Sequence, residues 1–482
     1  MSDLTIRNLT KNQIELVQVQ RFEGEKVATG NTLSNITGAI SGFLNATEHA
    51  THELVARGDS RDKKDVSFKI DPFKAKKTDV RSADSSGSEV LRLTFKTENR
   101  KYETDVPSPT KKSAVMKKLD GGPHDLTVVY VPSGSLLAVF SSAKLNAWMH
   151  ELHDDWPLTV LSIPGTHNSP TCYTALPSVR CQSVGVPEQL ANGVRFMDIR
   201  VSAEPGSDDL ALVHSAFPIS LTGTKYLRDM LDDVYSFLEK NKSETVIMSL
   251  KREGTGKGTD ADLCKALKTA YAGKKKERWW TDSNVPTLGQ ARGKIVLMRR
   301  FATDDKKGYG IDAQHWPDNC EDGKVGKGHI RVQDFYEITE SQNIDKKIEY
   351  SRGQLERAAE QNFLLSGMAT AKRDDKEADK KDDKKDDKKD AKTAAPPFFV
   401  NFLSASNFFN ASCWPERIAA KVNPAVVEYL CVRHGEDGKG PKKLKVGTAG
   451  TGIVVTDWVG ANDDWDLVRC IVGMNARLQL KN

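Results

Sequence analysis

The chain has 482 residues, with 71 Lys+Arg against 66 Asp+Glu and a formal net charge of +5, which leaves room for two or three domains of ~100–200 residues each. A composition of 38% hydrophobic and 28% charged residues can bury an ordinary core, and it excludes a disordered, collagen-like or coiled-coil chain. The small, scattered positive excess also excludes the basic stripe with interleaved aromatics expected of a nucleic-acid binder.

No run of ~18 apolar residues is present to span a membrane. The opening residues, Met1 to Arg7, lack the basic and apolar regions of a signal peptide, so a cytoplasmic location is expected. The seven cysteines (Cys172, Cys181, Cys264, Cys320, Cys413, Cys431 and Cys470) form no Cys-x-x-Cys pair, which argues against a zinc site. They read as buried free thiols, with Cys172 and Cys181 near enough in sequence to bridge in an oxidising compartment.

Residues 1–145 read as short strands separated by polar turns: Leu4 to Arg7, Gln13 to Phe22, Val66 to Ile70, Val90 to Phe95, Leu126 to Val131 and Leu136 to Phe140. This pattern predicts a small β-sandwich. Within it, Leu33, Ile36, Ile40 and Phe43 recur at helical spacing across Thr32 to Leu54, which predicts a helix packed on the sandwich or lying at a membrane surface.

Beyond residue 146 the rhythm changes to apolar strands alternating with helical patterns. The strands are Leu158 to Pro164, Val194 to Val201, Leu210 to His214, Thr245 to Lys251, Lys294 to Arg300, His329 to Asp334, Phe398 to Leu403 and Gly452 to Asp457. The helices are Tyr226 to Asn241, Ala261 to Ala272, Ile344 to Asn362, Pro415 to Val432 and Trp465 to Leu478. The alternation predicts an α/β fold, a distorted TIM-type (β/α) barrel over residues 146–482, with some crossover helices missing. A Lys/Asp run over 371–392 cannot be buried and reads as a solvated insertion between two barrel strands.

The chemistry collects where these strands end. His167 follows a Pro164-Gly165-Thr166 segment read as a tight turn, Asp198 and Arg200 close a second strand, and His214 closes a third. Lys251, Arg300, Asp334 with Tyr336, and Asp457 stand at the ends of four more. In a (β/α) barrel all such ends open on one face. Any one of these charges could be a satisfied loop residue, but together they put two histidines, several cations and several carboxylates in one place. Two imidazoles can act as base and acid near neutral pH. A carboxylate can hold one of them in the right tautomer, and an arginine fork suits phosphate oxygens.

Read at these residues, the sequence resembles the phosphatidylinositol-specific phospholipase C family in its bacterial and fungal single-catalytic-domain form. The motifs are Ile163-Pro-Gly-Thr-His-Asn-Ser, Gln189-Leu-x-x-Gly-Val-Arg-Phe-Met-Asp-Ile-Arg, Val213-His, Met248-Ser-Leu-Lys-Arg-Glu, Arg292-Gly-Lys-Ile-Val-Leu-Met-Arg-Arg-Phe, Val332-Gln-Asp-Phe-Tyr, Val400-Asn-Phe-Leu-Ser and Val455-Thr-Asp-Trp.

The resemblance implies cleavage of phosphatidylinositol to diacylglycerol and a cyclic inositol phosphate, with transient, peripheral contact with a membrane surface. His167 would be the base, oriented by Asp457, and His214 the acid. Arg200 would neutralise the phosphate. Asp198, Lys251, Arg300 and Asp334 would bind substrate, and Tyr336 would stack on the inositol ring. Calcium-using relatives carry acidic residues where Arg200 and Lys251 stand, so the resemblance implies no metal and no cofactor. Asn168 departs from the Gly-Thr-His-Asp of metal-free bacterial relatives.

Phe217, Phe408, Phe409 and Trp458 are candidates for an apolar rim, with core packing as the alternative for each. Two other readings of the whole remain at this stage. One is a phosphodiesterase of the same barrel acting on glycerophosphodiesters or sphingolipids. The other is a catalytically silent lipid-binding scaffold.

Overall fold

The computed structural model describes residues 2–28, 52–83, 88–107, 112–142, 144–306, 308–326, 328–363 and 395–480. The helix expected over Thr32 to Leu54 falls almost wholly outside these residues, and the charged run over 371–392 does so entirely.

Ten strands make up the N-terminal part. They are β1 (Asp3–Asn8), β2 (Ile14–Ala28), β3 (His52–Ile70), β4 (Ala75–Arg81), β5 (Glu89–Thr97), β6 (Arg100–Asp105), β7 (Ser113–Val115), β8 (Lys117–Lys118), β9 (Thr127–Val131) and β10 (Leu136–Phe140). They form two five-stranded sheets, ordered β4-β1-β10-β9-β7 and β3-β2-β5-β6-β8. Leu4, Ile6, Val128, Tyr130, Leu137 and Val139 of the first meet Ile14, Leu16, Leu91, Leu93, Phe95 and Tyr102 of the second in one core. The sheets therefore stack face to face, as the alternating pattern predicted.

β9 and β10 are buried at every residue. Their alternate side chains, Val129, Val131, Leu136, Ala138 and Phe140, face away from the sandwich into a second core shared with the helices of the other half. A strand covered on both faces needs an unbroken apolar run, and Leu136-Leu-Ala-Val-Phe is such a run.

The second half is built on β11 (Ile163–Thr166), β12 (Phe196–Ser202), β13 (Ala211–His214), β14 (Phe217–Pro218), β15 (Val246–Arg252), β16 (Trp279–Trp280), β17 (Ile295–Arg300), β18 (Ile311–Asp312), β19 (Gly323–Val325), β20 (Ile330–Gln333), β21 (Phe398–Phe402) and β22 (Ile453–Thr456). The parallel path runs β17-β15-β12-β11-β22-β21-β20. Among the described residues no ladder joins β17 to β20, because short edge strands flank each of them instead. The sheet is a curled, open half-barrel, and the expectation of a TIM-type barrel is corrected to that extent.

Three further expectations change in the structure. The strand placed at Leu158 to Pro164 is a 3-10 turn over Leu158–Val160 followed by β11, so Pro164-Gly165-Thr166 is strand and not a tight turn. β13 is not a barrel strand: it runs antiparallel to β12 and forms a hairpin with β14. The last helical pattern breaks into Asp466–Gly473 and Ala476–Gln479.

The covering helices are α1 (Val186–Ala191), α2 (Leu227–Lys240), α3 (Asp260–Ala270), α4 (Leu288–Ala291), α5 (Ile344–Glu360), α6 (Pro415–Val432) and α7 (Asp466–Gly473). α1 to α3 pack on the outward residues of β12, β15 and β17, among them Met197, Ile199, Met248, Leu250 and Leu297. α6 and α7 lie between the half-barrel and the first N-terminal sheet.

A buried cation helps to tie the halves together. Arg7, 2% exposed, donates to the carbonyls of Leu430 at 3.3 Å, Cys431 at 2.9 Å and His434 at 2.6 Å. These groups lie at the C-terminal end of α6 and just beyond it, where helix carbonyls lack intrahelical donors and the dipole favours a positive charge. Arg7→Ala would strand these acceptors in a dry seam, so it is expected to lower stability by ~3 kcal/mol. Urea unfolding followed by fluorescence measures this, and an unchanged midpoint would show that the seam is wet.

Candidate active site

Period-2 alternation decides what faces the interior. On β12 the inward residues are Phe196, Asp198 and Arg200, on β15 Ile247, Ser249 and Lys251, and on β17 Val296, Met298 and Arg300. Their apolar members join Ile163, Val332, Val400, Phe402, Ile453 and Val455 in one interior core. Each strand thus passes from apolar residues at its start to ionisable ones at its end, and the core closes the floor of the site. The register aligns Arg200 with Lys251 and Lys251 with Arg300, so three cations stand side by side on adjacent strands. Gly165 lets β11 lie against β12, since a Cβ there would come 2.9 Å from the Phe196 ring.

Two carboxylates hold the row of cations. Asp198, fully buried, accepts from Arg200 Nε at 3.2 Å and Nη2 at 3.1 Å, and lies 3.5 Å from Arg300. Glu253, which the sequence reading left without a role, accepts from Arg200 Nη1 at 3.1 Å, Lys251 Nζ at 2.6 Å and the Ser215 amide at 3.0 Å. Against the cost of burial, Arg200 and Arg300 hold the Asp198 carboxyl well below the usual carboxylate range. Arg200 and Lys251 likewise hold Glu253 down at about 2. Burial lowers the Arg300 guanidinium, while the neighbouring carboxylates keep Arg200 firmly charged against the same cost.

The Arg300 guanidinium lies 4.0 Å from the ring centre of Trp316, whose Nε1 donates to Asp334 at 2.9 Å. Asp334 is therefore joined to the cation row through an aromatic plate that the sequence reading missed. Tyr336 sits further out, exposed at the rim, with its hydroxyl donating to Asp318 at 2.7 Å.

The two imidazoles face each other across the mouth, with ring centres 5.7 Å apart and planes at 88°. His167 Nδ1 is 2.8 Å from Asp457 Oδ1. This pairing fixes Nδ1 as the protonated nitrogen and turns Nε2 to the cavity as an acceptor. Burial pushes the Asp457 carboxyl up, and His167 pulls it back. His214 Nδ1 donates to the carbonyl of Val179 at 2.9 Å. Burial lowers the His214 imidazole, helped by the nearby charges of His167 and Arg200.

A loop from Val179 to Gln182 supports both rings, because Gln182 Nε2 also donates to the His167 carbonyl at 2.7 Å. Cys181 belongs to this loop and, like the other six cysteines, is a free thiol. Asn168 is fully buried at φ 42°, and both atoms of its amide lack a protein partner.

Of the predicted rim aromatics, Phe217 and Phe408 stack at 5.7 Å and Phe408 meets Phe409 at 5.3 Å. Phe409 is 95% exposed. Trp458 instead lies under the Arg180 guanidinium at 4.9 Å.

A half-barrel whose strand ends gather a carboxylate-paired histidine, a second histidine and a row of cations brings proton-transferring and anion-binding groups to one place. Residues 155–301 match the family described as phosphatidylinositol-specific phospholipase C, X domain. It is 28% identical over 358 residues to the 1-phosphatidylinositol phosphodiesterase of Staphylococcus aureus, covering 69% of this chain and 91% of that one. The enzyme of the same name from Listeria monocytogenes is 32% identical over 170 residues, covering 33% of this chain and 50% of that one. A solved structure of the S. aureus phosphatidylinositol-specific phospholipase C shares the fold at a TM-score of 0.51 and 23% identity, covering 69% of this chain and 98% of that one.

The carboxylate–cation network predicts an acid-labile site. Glu253 and Asp198 are depressed relative to unfolded values of about 4, so their contribution is present above that pH and lost as pH falls toward 2. Thermal unfolding between pH 2 and 6 is expected to show a steep acid limb, flattened in Glu253→Gln. Parallel limbs for the two proteins would remove Glu253 from the account.

Proposed function

We propose that the protein cleaves the phosphodiester of phosphatidylinositol by metal-independent general acid/base catalysis, giving diacylglycerol and inositol 1,2-cyclic phosphate. The observation that carries this reading is the His167–Asp457 pair facing His214 beside Arg200. His167 Nε2 takes the proton of the inositol 2-hydroxyl, and Asp457 stabilises the resulting imidazolium. The freed oxygen attacks phosphorus. Arg200, whose charge Asp198 and Glu253 secure, neutralises the phosphate oxygens. His214 gives a proton to the departing diacylglycerol oxygen. The phosphate anion raises its lowered pKa on binding, so protonation of His214 is coupled to the presence of substrate.

Lys251, Arg300 and Asp334 hold inositol hydroxyls, and Tyr336 offers its ring at the rim. The unpartnered Asn168 amide can hydrogen-bond the substrate, a role an amide fills without the charge of a carboxylate. Contact with the lipid surface is assigned to Phe409 with the Phe217–Phe408 stack. Solved structures of the S. aureus enzyme concern the modulation of its membrane binding, and Phe217 lies directly across the β13–β14 hairpin from His214.

The decisive assay is phosphorus NMR of phosphatidylinositol vesicles with purified protein in excess EGTA. Cyclic inositol phosphate should form without calcium. His167→Ala and His214→Ala should each reduce its rate by at least ~100-fold while vesicle binding persists. A strict calcium requirement would overturn the metal-independent step. Absence of product under either condition would favour another head group or a silent barrel. Phe409→Ser should weaken vesicle binding by ~10-fold through lost apolar burial, with turnover of a monodisperse short-chain substrate unchanged; equal loss on both substrates would place Phe409 in the fold instead.

A further inference from the structure

The loop beneath the two imidazoles carries a group that acid/base catalysis does not use. Cys181 is fully buried, and its Sγ lies 3.6 Å from His214 Nδ1. One donor atom each from His167, Cys181 and His214 falls within 4.8 Å of the others. We propose that these three side chains form a site for a thiophilic divalent cation, with Zn²⁺ as the type, whose occupancy silences the enzyme by engaging both imidazoles. The consequence for turnover rests on the catalytic reading above, but the binding itself does not.

The geometry suits such an ion. With Zn–S near 2.3 Å and Zn–N near 2.0–2.1 Å, a tetrahedral site has an S···N edge of roughly 3.5 Å, close to the separation of Cys181 Sγ and His214 Nδ1. A contraction of up to about 1.3 Å at the longer edges would complete a three-ligand site with a fourth position left for a water, as borderline-soft metals accept.

One surrounding partner is of the kind that orients a ligating histidine: Asp457 holds His167 Nδ1, leaving Nε2 for the ion, whereas His214 exchanges its bond to the Val179 carbonyl for the ion. Cys181 is itself anchored by its backbone. Its amide donates to the Thr171 carbonyl, and its carbonyl accepts from the Trp458 amide at 2.8 Å.

On binding, the Cys181 S–H bond breaks, the S–metal bond forms and the proton leaves to solvent. At His214 the ion takes Nδ1, and the proton now given there to the Val179 carbonyl passes through solvent to Nε2, so the ring stays neutral. Neither imidazole can then relay a proton. Hard cations take oxygen ligands, so Ca²⁺ and Mg²⁺ are not occupants of this site. The three ligands come from separate segments, which is why the absence of a Cys-x-x-Cys pair spoke against zinc at the level of sequence.

The test uses the full-length protein stripped with chelator. Co²⁺ titration should produce a near-ultraviolet thiolate-to-metal absorption in the wild type that is missing from Cys181→Ser and Cys181→Ala. Zn²⁺ should inhibit wild-type turnover reversibly, with EDTA restoring it. Each cysteine variant, normalised to its own metal-free rate, should need at least ~30-fold more Zn²⁺ for half-inhibition. Absence of a Cys181-dependent cobalt band, or equal Zn²⁺ sensitivity of wild type and variants, would overturn the site. If phosphatidylinositol proves not to be turned over, the cobalt spectra alone still decide whether the metal site exists.

Discussion

Three cations placed in register on neighbouring strands are the constraint around which the catalytic half is organised. Arg200, Lys251 and Arg300 would repel one another in a half-buried mouth. The interleaved carboxylates of Asp198 and Glu253 make the arrangement tenable. Buried charge of this kind is costly unless fully paired, and Asp198, Arg300, Asn168 and Asp457 each keep a buried polar atom without a hydrogen-bond partner. The polarity of the site therefore follows from strand register before any loop is considered.

Most of this was legible from residue order. A strand that reads apolar at alternate positions and ends in Asp-Ile-Arg or Ser-Leu-Lys announces both its inward face and its functional end. His167, Arg200, Lys251, Arg300 and Asp457 fall together in the structure for that reason. What escaped depends on pairing between segments remote in sequence. Nothing local marks Glu253 as the partner of Arg200, Trp316 as the plate beneath Arg300, or the Val179 carbonyl as the acceptor for His214. The hairpin role of β13 was hidden because an apolar run of four residues reads the same in a parallel and an antiparallel strand. Closure failed to follow from strand count, since counting does not reveal which edges meet.

The N-terminal sheets carried a signal that the reading did not exploit. Both β9 and β10 are apolar at every position or nearly so, unlike the alternating strands around them, and this marks them as shared between two cores. One sheet therefore serves as the inner leaf of the sandwich and as a cover for α6 and α7. Arg7 fastens the arrangement by satisfying carbonyls at the end of α6. The β-rich half is thus part of the packing of the catalytic half and not a tethered appendage.

The order of strands has a temporal side. β11, the first strand of the half-barrel, pairs with β22, the last, so the sheet is completed at its centre by a contact spanning 290 residues. Pairings of such sequence separation form late and slowly. His167 and Asp457 sit at the head of this same ladder, so the imidazole has no carboxylate partner until β22 has been synthesised and has slotted between β11 and β21. A nascent or C-terminally clipped chain can gather its cations and still lack the His167–Asp457 pair. Assembly of that pair is thereby coupled to completion of the fold.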